Sequence, residues 1–117
     1  MYDVKPQIKS LLKSIPDVSV SDVFPNGPAE TPRITFYELA NVDSLKINNS
    51  PISTIAIQID IWHTRSTGVL AAAVNDVMNS IGFRREFAAD VPDPSGIKRK
   101  TMRYGGKVDA RNLLVYQ

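Results

Sequence analysis

Ile55, Ile57, Ile59 and Ile61 stand at alternate positions of the stretch Ile55-Ala56-Ile57-Gln58-Ile59-Asp60-Ile61-Trp62. A period of two carries side chains to alternate faces of a strand, whereas a helix would scatter these isoleucines around its axis. β-Branched residues also fit a pleated surface better than a helical one. The stretch from Ile52 to His63 is therefore predicted to be a strand with one apolar face, as in a half-buried antiparallel sheet. That face needs a second layer to cover it.

A covering layer stands directly downstream. From Ser66 onward, Val69, Leu70, Ala73, Val74, Val77, Met78 and Ile81 follow helical spacing. Ser66 or Thr67 is placed to cap the start, and Gly82 suits the position just past the end. Val69, Leu70, Val74, Val77 and Met78 are predicted to pack on the isoleucine face. A first helix is predicted near the N-terminus, where Val4, Ile8, Leu11, Leu12 and Ile15 share one stripe and Lys5, Lys9 and Lys13 face away. Asp3 reads as its N-cap, Pro6 is tolerated in its first turn, and Pro16 ends it.

The other elements read as strands. Asp17 to Phe24 is one. Arg33 to Leu39 is another, with Ile34 and Phe36 on one face and Thr35, Tyr37 and Leu39 on the other. Phe83 to Val91 places Phe83, Arg85, Phe87, Ala89 and Val91 on one face. Lys98 to Val108 has Met102 and Tyr104 interior, with Gly105-Gly106 marking a bulge or bend. The end, from Asn112 to Tyr116, reads as a short strand or a frayed tail. Pro25-Asn26-Gly27-Pro28 and Pro92-Asp93-Pro94-Ser95-Gly96 are turns. Asn41 to Pro51, rich in Asn and Ser, reads as a loop or a mobile hairpin arm. The order α-β-β-β-α-β-β predicts an α+β fold, an antiparallel sheet with both helices packed on one face. With 117 residues, 43% hydrophobic and 22% charged, the chain suits a single domain over 1–117.

Catalytic signals are sparse. The chain has no cysteine, which excludes disulfides and thiolate chemistry. His63 is the lone histidine, at a strand end. Asp90 and Asp93 bracket a proline turn and fall short of a calcium loop. Gly105-Gly106-Lys107 lacks the helix that a phosphate-binding loop requires. No catalytic, cofactor-binding or metal-ligating residue is expected, and the protein is not expected to be an enzyme. The N-terminus lacks a signal-peptide pattern, and no apolar run approaches the roughly 20 residues of a membrane span. A soluble, cytoplasmic protein is expected.

Net charge is only +2, but Lys98, Arg99, Lys100, Arg103, Lys107 and Arg111 crowd the C-terminal end against one acid, Asp109. Tyr104 is the sole aromatic among them, and a solvated hairpin is the plainer reading than a sequence-reading surface. Asp60, beside Gln58 and Trp62, reads either as an inter-subunit contact or as a solvent-facing side chain.

The succession is similar to one known family. A short N-terminal helix precedes the strand Arg33-Ile34-Thr35-Phe36-Tyr37-Glu38-Leu39 and a polar arm. The strand ending Gln58-Ile59-Asp60-Ile61-Trp62 then runs straight into an Ala-rich helix closed by Ile81-Gly82-Phe83. A hairpin carrying Lys100-Thr101-Met102-Arg103-Tyr104 follows. From Tyr2 to about Asp109 the chain resembles the tail-completion proteins of long-tailed bacteriophages, also called tail terminators or tail-to-head joining proteins. The resemblance implies a subunit of a hexameric ring at the head-proximal end of the tail. Such a ring would end the tail tube and join it to the head connector, with DNA passing through the lumen. It implies a virion protein without enzymatic activity or cofactor, partnered by the tail-tube and head-connector proteins.

A ring subunit needs head-to-tail contacts that close by rotation, and strand edges and loop arms can supply them. The arm Asn41–Ser53 and the tip Ala89–Ile97 are the expected suppliers. Asn41, Ser44, Asn48, Asn49, Asp60, Trp62, Asp93 and Ser95 are the candidate subunit or partner contacts. Lys98, Arg99, Lys100 and Arg103 are the candidate DNA-facing residues. The alternatives are a small basic nucleic-acid-binding protein using the C-terminal hairpin, and an unrecognised small enzyme.

Overall fold

A computed structural model describes residues 3–21, 32–47, 50–92, 94, 96–109 and 114–116. The elements run α1 (Lys5–Lys13), β1 (Ser19–Ser21), β2 (Arg33–Ile47), β3 (Ser50–His63), α2 (Gly68–Ser80), β4 (Arg84–Val91), β5 (Lys98–Asp109) and β6 (Leu114–Tyr116). The fold is α+β in the predicted order, with β6 as the short terminal strand.

The isoleucine strand is central. The sheet order is β1-β2-β3-β5-β4, with β6 pairing β5. Pairing is antiparallel except between β1 and β2, which run parallel with Val20 opposite Ile34. The expected all-antiparallel sheet is thus corrected to a mixed one. A three-residue parallel edge has no periodicity by which a sequence could announce its direction. The rest of the expected first strand, residues 22–24, and the turn at 25–28 lie outside the described residues.

Ile55, Ile57, Ile59 and Ile61 are fully buried, together with Ile34, Phe36, Met102 and Tyr104 from the flanking strands. Val4, Ile8, Leu12 and Ile15 of the α1 region and Ala71, Val74 and Met78 of α2 complete one core on this face of the sheet. Leu70 and Val77 pack at its margin. Val69 does not join them and is 82% exposed. At 100° per residue it lies about 180° around the helix from Met78, so helical geometry overrides its apolar character.

Both helix ends carry local explanations. Asp3 does not act as the N-cap of α1, a position held by Val4, although its carboxylate accepts a hydrogen bond from the Lys5 N–H at 3.2 Å. Before α2, Thr67 is the N-cap without a side-chain bond, while the Ser66 hydroxyl accepts from the Gly68 N–H at 3.2 Å. The end of α2 is a Schellman motif. Gly82 adopts φ 93°, its N–H donates to the Asn79 carbonyl, and the Phe83 N–H donates to the Met78 carbonyl. Phe83 is then buried against the core.

Bulges shape three segments and correct two strand readings. Of the two readings for Asn41 to Pro51, a loop or a hairpin arm, the second holds for the described residues: Asn41 to Ile47 pairs with Ser50 to Ile55, with register shifts near Leu39 and Ser44. Polar residues are tolerated there because a ladder needs only main-chain partners. In β4 the register shifts between Arg85 and Phe87, so Phe83 and Phe87 fall on opposite faces and the expected single alternation breaks. Gly105-Gly106 is regular in its pairing with β3, and the bulge sits opposite, at Glu86. A Cβ on Gly105 would lie 2.9 Å from the Glu86 carboxylate, the end of a flexible, exposed side chain that can move aside. Ala89–Val91, counted both in the strand Phe83 to Val91 and in the tip Ala89–Ile97, belongs to β4, as the strand reading has it.

The molecule measures 50 × 22 × 21 Å. A 14-residue strand such as β3 spans about 46 Å, whereas the 13-residue α2 is only about 20 Å long. Each helix therefore covers less than half the length of the sheet. No helix is long and apolar enough to cross a membrane among the described residues.

Candidate functional site

The face of the sheet away from the helices is organised in rows, because every second residue of each strand points there. Register places Arg33, Trp62, Arg99 and Val91 in one row across β2, β3, β5 and β4. Thr35, Asp60, Thr101 and Ala89 form the next, and Tyr37, Gln58, Arg103 and Phe87 the third.

Asp60 anchors the middle row. Its Oδ1 accepts from the Thr101 hydroxyl at 2.6 Å, and its Oδ2 accepts from Arg99 at 3.3 Å and from the Gln58 amide at 3.4 Å. Trp62 donates its indole N–H to Thr35 Oγ1 at 3.1 Å, and the Arg99 guanidinium lies over the Trp62 ring at 4.7 Å. Arg33 donates to the Ser21 hydroxyl at 3.4 Å. Asp60 is 2% exposed and Trp62 4%. Both expectations for Asp60, a subunit contact or a solvent-facing side chain, require exposure that it lacks. Asp60 and Trp62 instead tie three strands together within the chain.

The third row is the open one. Tyr37 is 44% exposed and Phe87 49%, and Arg103 between them is exposed too. This row was missed in the sequence because the bulge at Glu86 moves Phe87 to this face, out of phase with Phe83. The Nε atoms of Arg33 and Arg99 are buried without a hydrogen-bond partner among the described residues.

The basic cluster is divided. Arg99 and Arg103 lie on the row-bearing face, while Lys98 and Lys100 point to the helix side. Lys100 approaches Asp90 at 3.7 Å, but Asp90 is 80% exposed, so the pair contributes little. His63 takes part in a turn, where its Nδ1 accepts from the Arg65 N–H at 2.8 Å. Among the described residues no three His, Cys, Asp or Glu side chains gather as a metal site.

The arm holds Asn41 within β2, and Ser44 lies on the same strand. Asn48, Asn49, Asp93 and Ser95 lie outside the described residues. Near the arm, Asp43 accepts a hydrogen bond from the Ser53 hydroxyl at 2.9 Å, which holds its carboxyl below the usual value.

On the helix side, Tyr104 donates to Asn75 Oδ1 at 3.0 Å, and burial pushes its phenol up to about 12. The folded state keeps this proton more tightly than the unfolded chain, whose tyrosine titrates at 10.0. The stabilisation is thus whole below pH 10 and is lost as pH rises toward 12. Denaturant midpoints of the wild type should fall more steeply over that range than those of Tyr104→Phe. Parallel slopes would remove Tyr104 from the account.

No protein-family model matches the chain, and no curated protein matches it.

Proposed function

We propose that this protein is a structural subunit of a ring at the head-proximal end of a phage tail. It would terminate the tail tube, join it to the head connector and let DNA pass through the lumen, without catalysis of its own. The observation that carries this reading is the long β2–β3 arm, which runs past the reach of either helix, in a sheet whose edge strands among the described residues are β1 and β4. That shape suits a part that meets neighbours on several sides. The resemblance of the element order and of the strand ending in Gln58-Ile59-Asp60-Ile61-Trp62 supports the same reading.

The test is complementation of a phage lacking the corresponding gene, with particles viewed by electron microscopy. Charge substitutions at exposed positions of the arm, such as Val42, are expected to leave the fold within about 0.5 kcal/mol of wild type while heads and tails accumulate unjoined. Normal virions from such variants would count against the proposal.

One observation favours a second reading. Tyr37, Arg103 and Phe87 expose two rings and a guanidinium along one row, the kind of surface on which single-stranded nucleic acid stacks. Under that reading the surface is the face of the sheet, not the C-terminal hairpin alone. Arg103→Ala and Phe87→Ala would then weaken oligonucleotide binding, with the arginine change also flattening its salt dependence. Under the assembly reading they leave joining intact.

A further inference from the structure

An edge strand presents unpaired main-chain N–H and C=O groups, and proteins blunt such edges with short strands, charges, prolines or bulges. The strand order here ends in β1 and β4. β1 is only three residues long, whereas β4 runs for eight, and no strand pairs with its outer side among the described residues. The protection of β4 is one-sided. Arg84, Arg85 and Glu86 come first and the bulge lies among them, while Pro92 follows the last strand residue. Between these guards Phe87, Ala88, Ala89, Asp90 and Val91 carry a single charge. Phe87, Ala89 and Val91 pair with Arg103, Thr101 and Arg99, so all three point to the helix-free side, where Phe87 is 49% exposed.

This stretch fits a copy of itself. In antiparallel orientation about a two-fold axis at Ala89, Phe87 faces Val91 of the second copy, Ala88 faces Asp90, and Ala89 faces Ala89. Each pair matches in face, since Ala88 and Asp90 both stand on the helix side, opposite Met102 and Lys100. The paired stretch begins beyond the bulge, so it stays clear of Gly82-Phe83, where the chain leaves α2. The helical layer leaves room as well. α2 stands over β5, where Asn75 accepts from Tyr104, and the two β5 strands would lie three strand spacings apart, roughly 14 Å. Helices packed side by side need only about 8–10 Å.

Charge favours the same register. Arg85 pairs with Tyr104 and Ala88 with Met102, so across the bulge Arg85 is the next helix-side residue before Ala88. In the dimer Arg85 of one copy is therefore the diagonal neighbour of Asp90 in the other, twice by symmetry. Diagonal neighbours stand about 7–8 Å apart, within reach of an arginine. Asp90 is 80% exposed even with Lys100 3.7 Å away, so it can take a second cation.

We infer that β4 pairs with β4 of a second copy of this chain in this register, joining the two sheets into one. The contact uses the same surface on both copies and so closes as a dimer. It is independent of the ring reading, because a two-fold contact does not by itself propagate around a ring. So short an edge buries less than a standard interface, which makes the dimer weak and concentration-dependent.

Sedimentation velocity of the full-length protein between about 1 μM and 1 mM should show a monomer–dimer equilibrium. R85D and D90R should each weaken it about ten-fold, because two symmetry-related attractions become repulsions. The double variant R85D/D90R should return to within about three-fold of wild type. Both positions are exposed, so circular dichroism should not change. The chain has no cysteine, which makes a second readout clean. A89C sets two thiols opposite each other on the axis, with about 4.5–5.5 Å between Cβ atoms. Under mild oxidation it should form covalent dimers at least about ten-fold faster than V69C, whose site on α2 is 82% exposed. A protein that stays monomeric throughout, charge reversals that are without effect or are not rescued in the double variant, or A89C that cross-links no faster than V69C would overturn the contact.

Discussion

Truncating Ile57 to alanine is expected to cost about 2–4 kcal/mol of unfolding free energy. Ile57 is fully buried at the centre of the middle strand, between Glu38 on β2 and Tyr104 on β5, beneath the helical layer. Removing its outer carbons loses their burial and leaves a cavity that a sheet held on both sides cannot collapse to fill. A domain of this size has only about 5–15 kcal/mol of stability in total, so the loss should be plain in the urea midpoint. Val69→Ala serves as the control and should change stability by about 0.5 kcal/mol or less, because Val69 is 82% exposed. Equal losses at the two sites would contradict the assigned helix face.

Asp60→Ala is expected to be nearly as damaging, for a different reason. The carboxylate accepts from Thr101, Arg99 and Gln58 at once. Without it, Thr101 and the Arg99 guanidinium lose their acceptor on a face that Trp62 also occupies. Breaking a fully buried ion pair by removing one partner costs about 3–5 kcal/mol. Arg99 keeps 25% of its side chain exposed, so water recovers part of that. A loss of about 2–3 kcal/mol follows. Asp60→Asn retains one oxygen for Thr101 and should lose about half as much. Urea denaturation of both variants measures this. Losses under about 1 kcal/mol in each would show that the Asp60 cluster does not tie the strands together.

What was legible in the sequence was what a strict period can carry. The alternation of Ile55 to Ile61 located the central strand and its buried face. The paired positions Val74 and Met78 located the helix upon it, and Gly82 located that helix's end. What escaped was set by events a period cannot register. A one-residue bulge at Glu86 moved Phe87 to the other face, and β2 continues through a polar stretch whose composition suits a loop as well as a hairpin arm. Asp60 and Trp62 looked like surface residues because alternation assigns them to the polar face. Only the register that sets Thr101 and Arg99 beside them makes that face a closed cluster. The basic run from Lys98 to Arg103 read as one patch because sequence neighbours seem close, yet a strand sends alternate residues to opposite sides.

The proposed role is that of a ring capping a phage tail tube. Electron microscopy of the purified protein mixed with polymerised tail tubes tests it most directly. The account predicts ring-shaped density at one end of each tube, lost when the arm Asn41–Ser53 carries charge substitutions. Tubes with bare ends in the presence of folded, unaltered protein would contradict it.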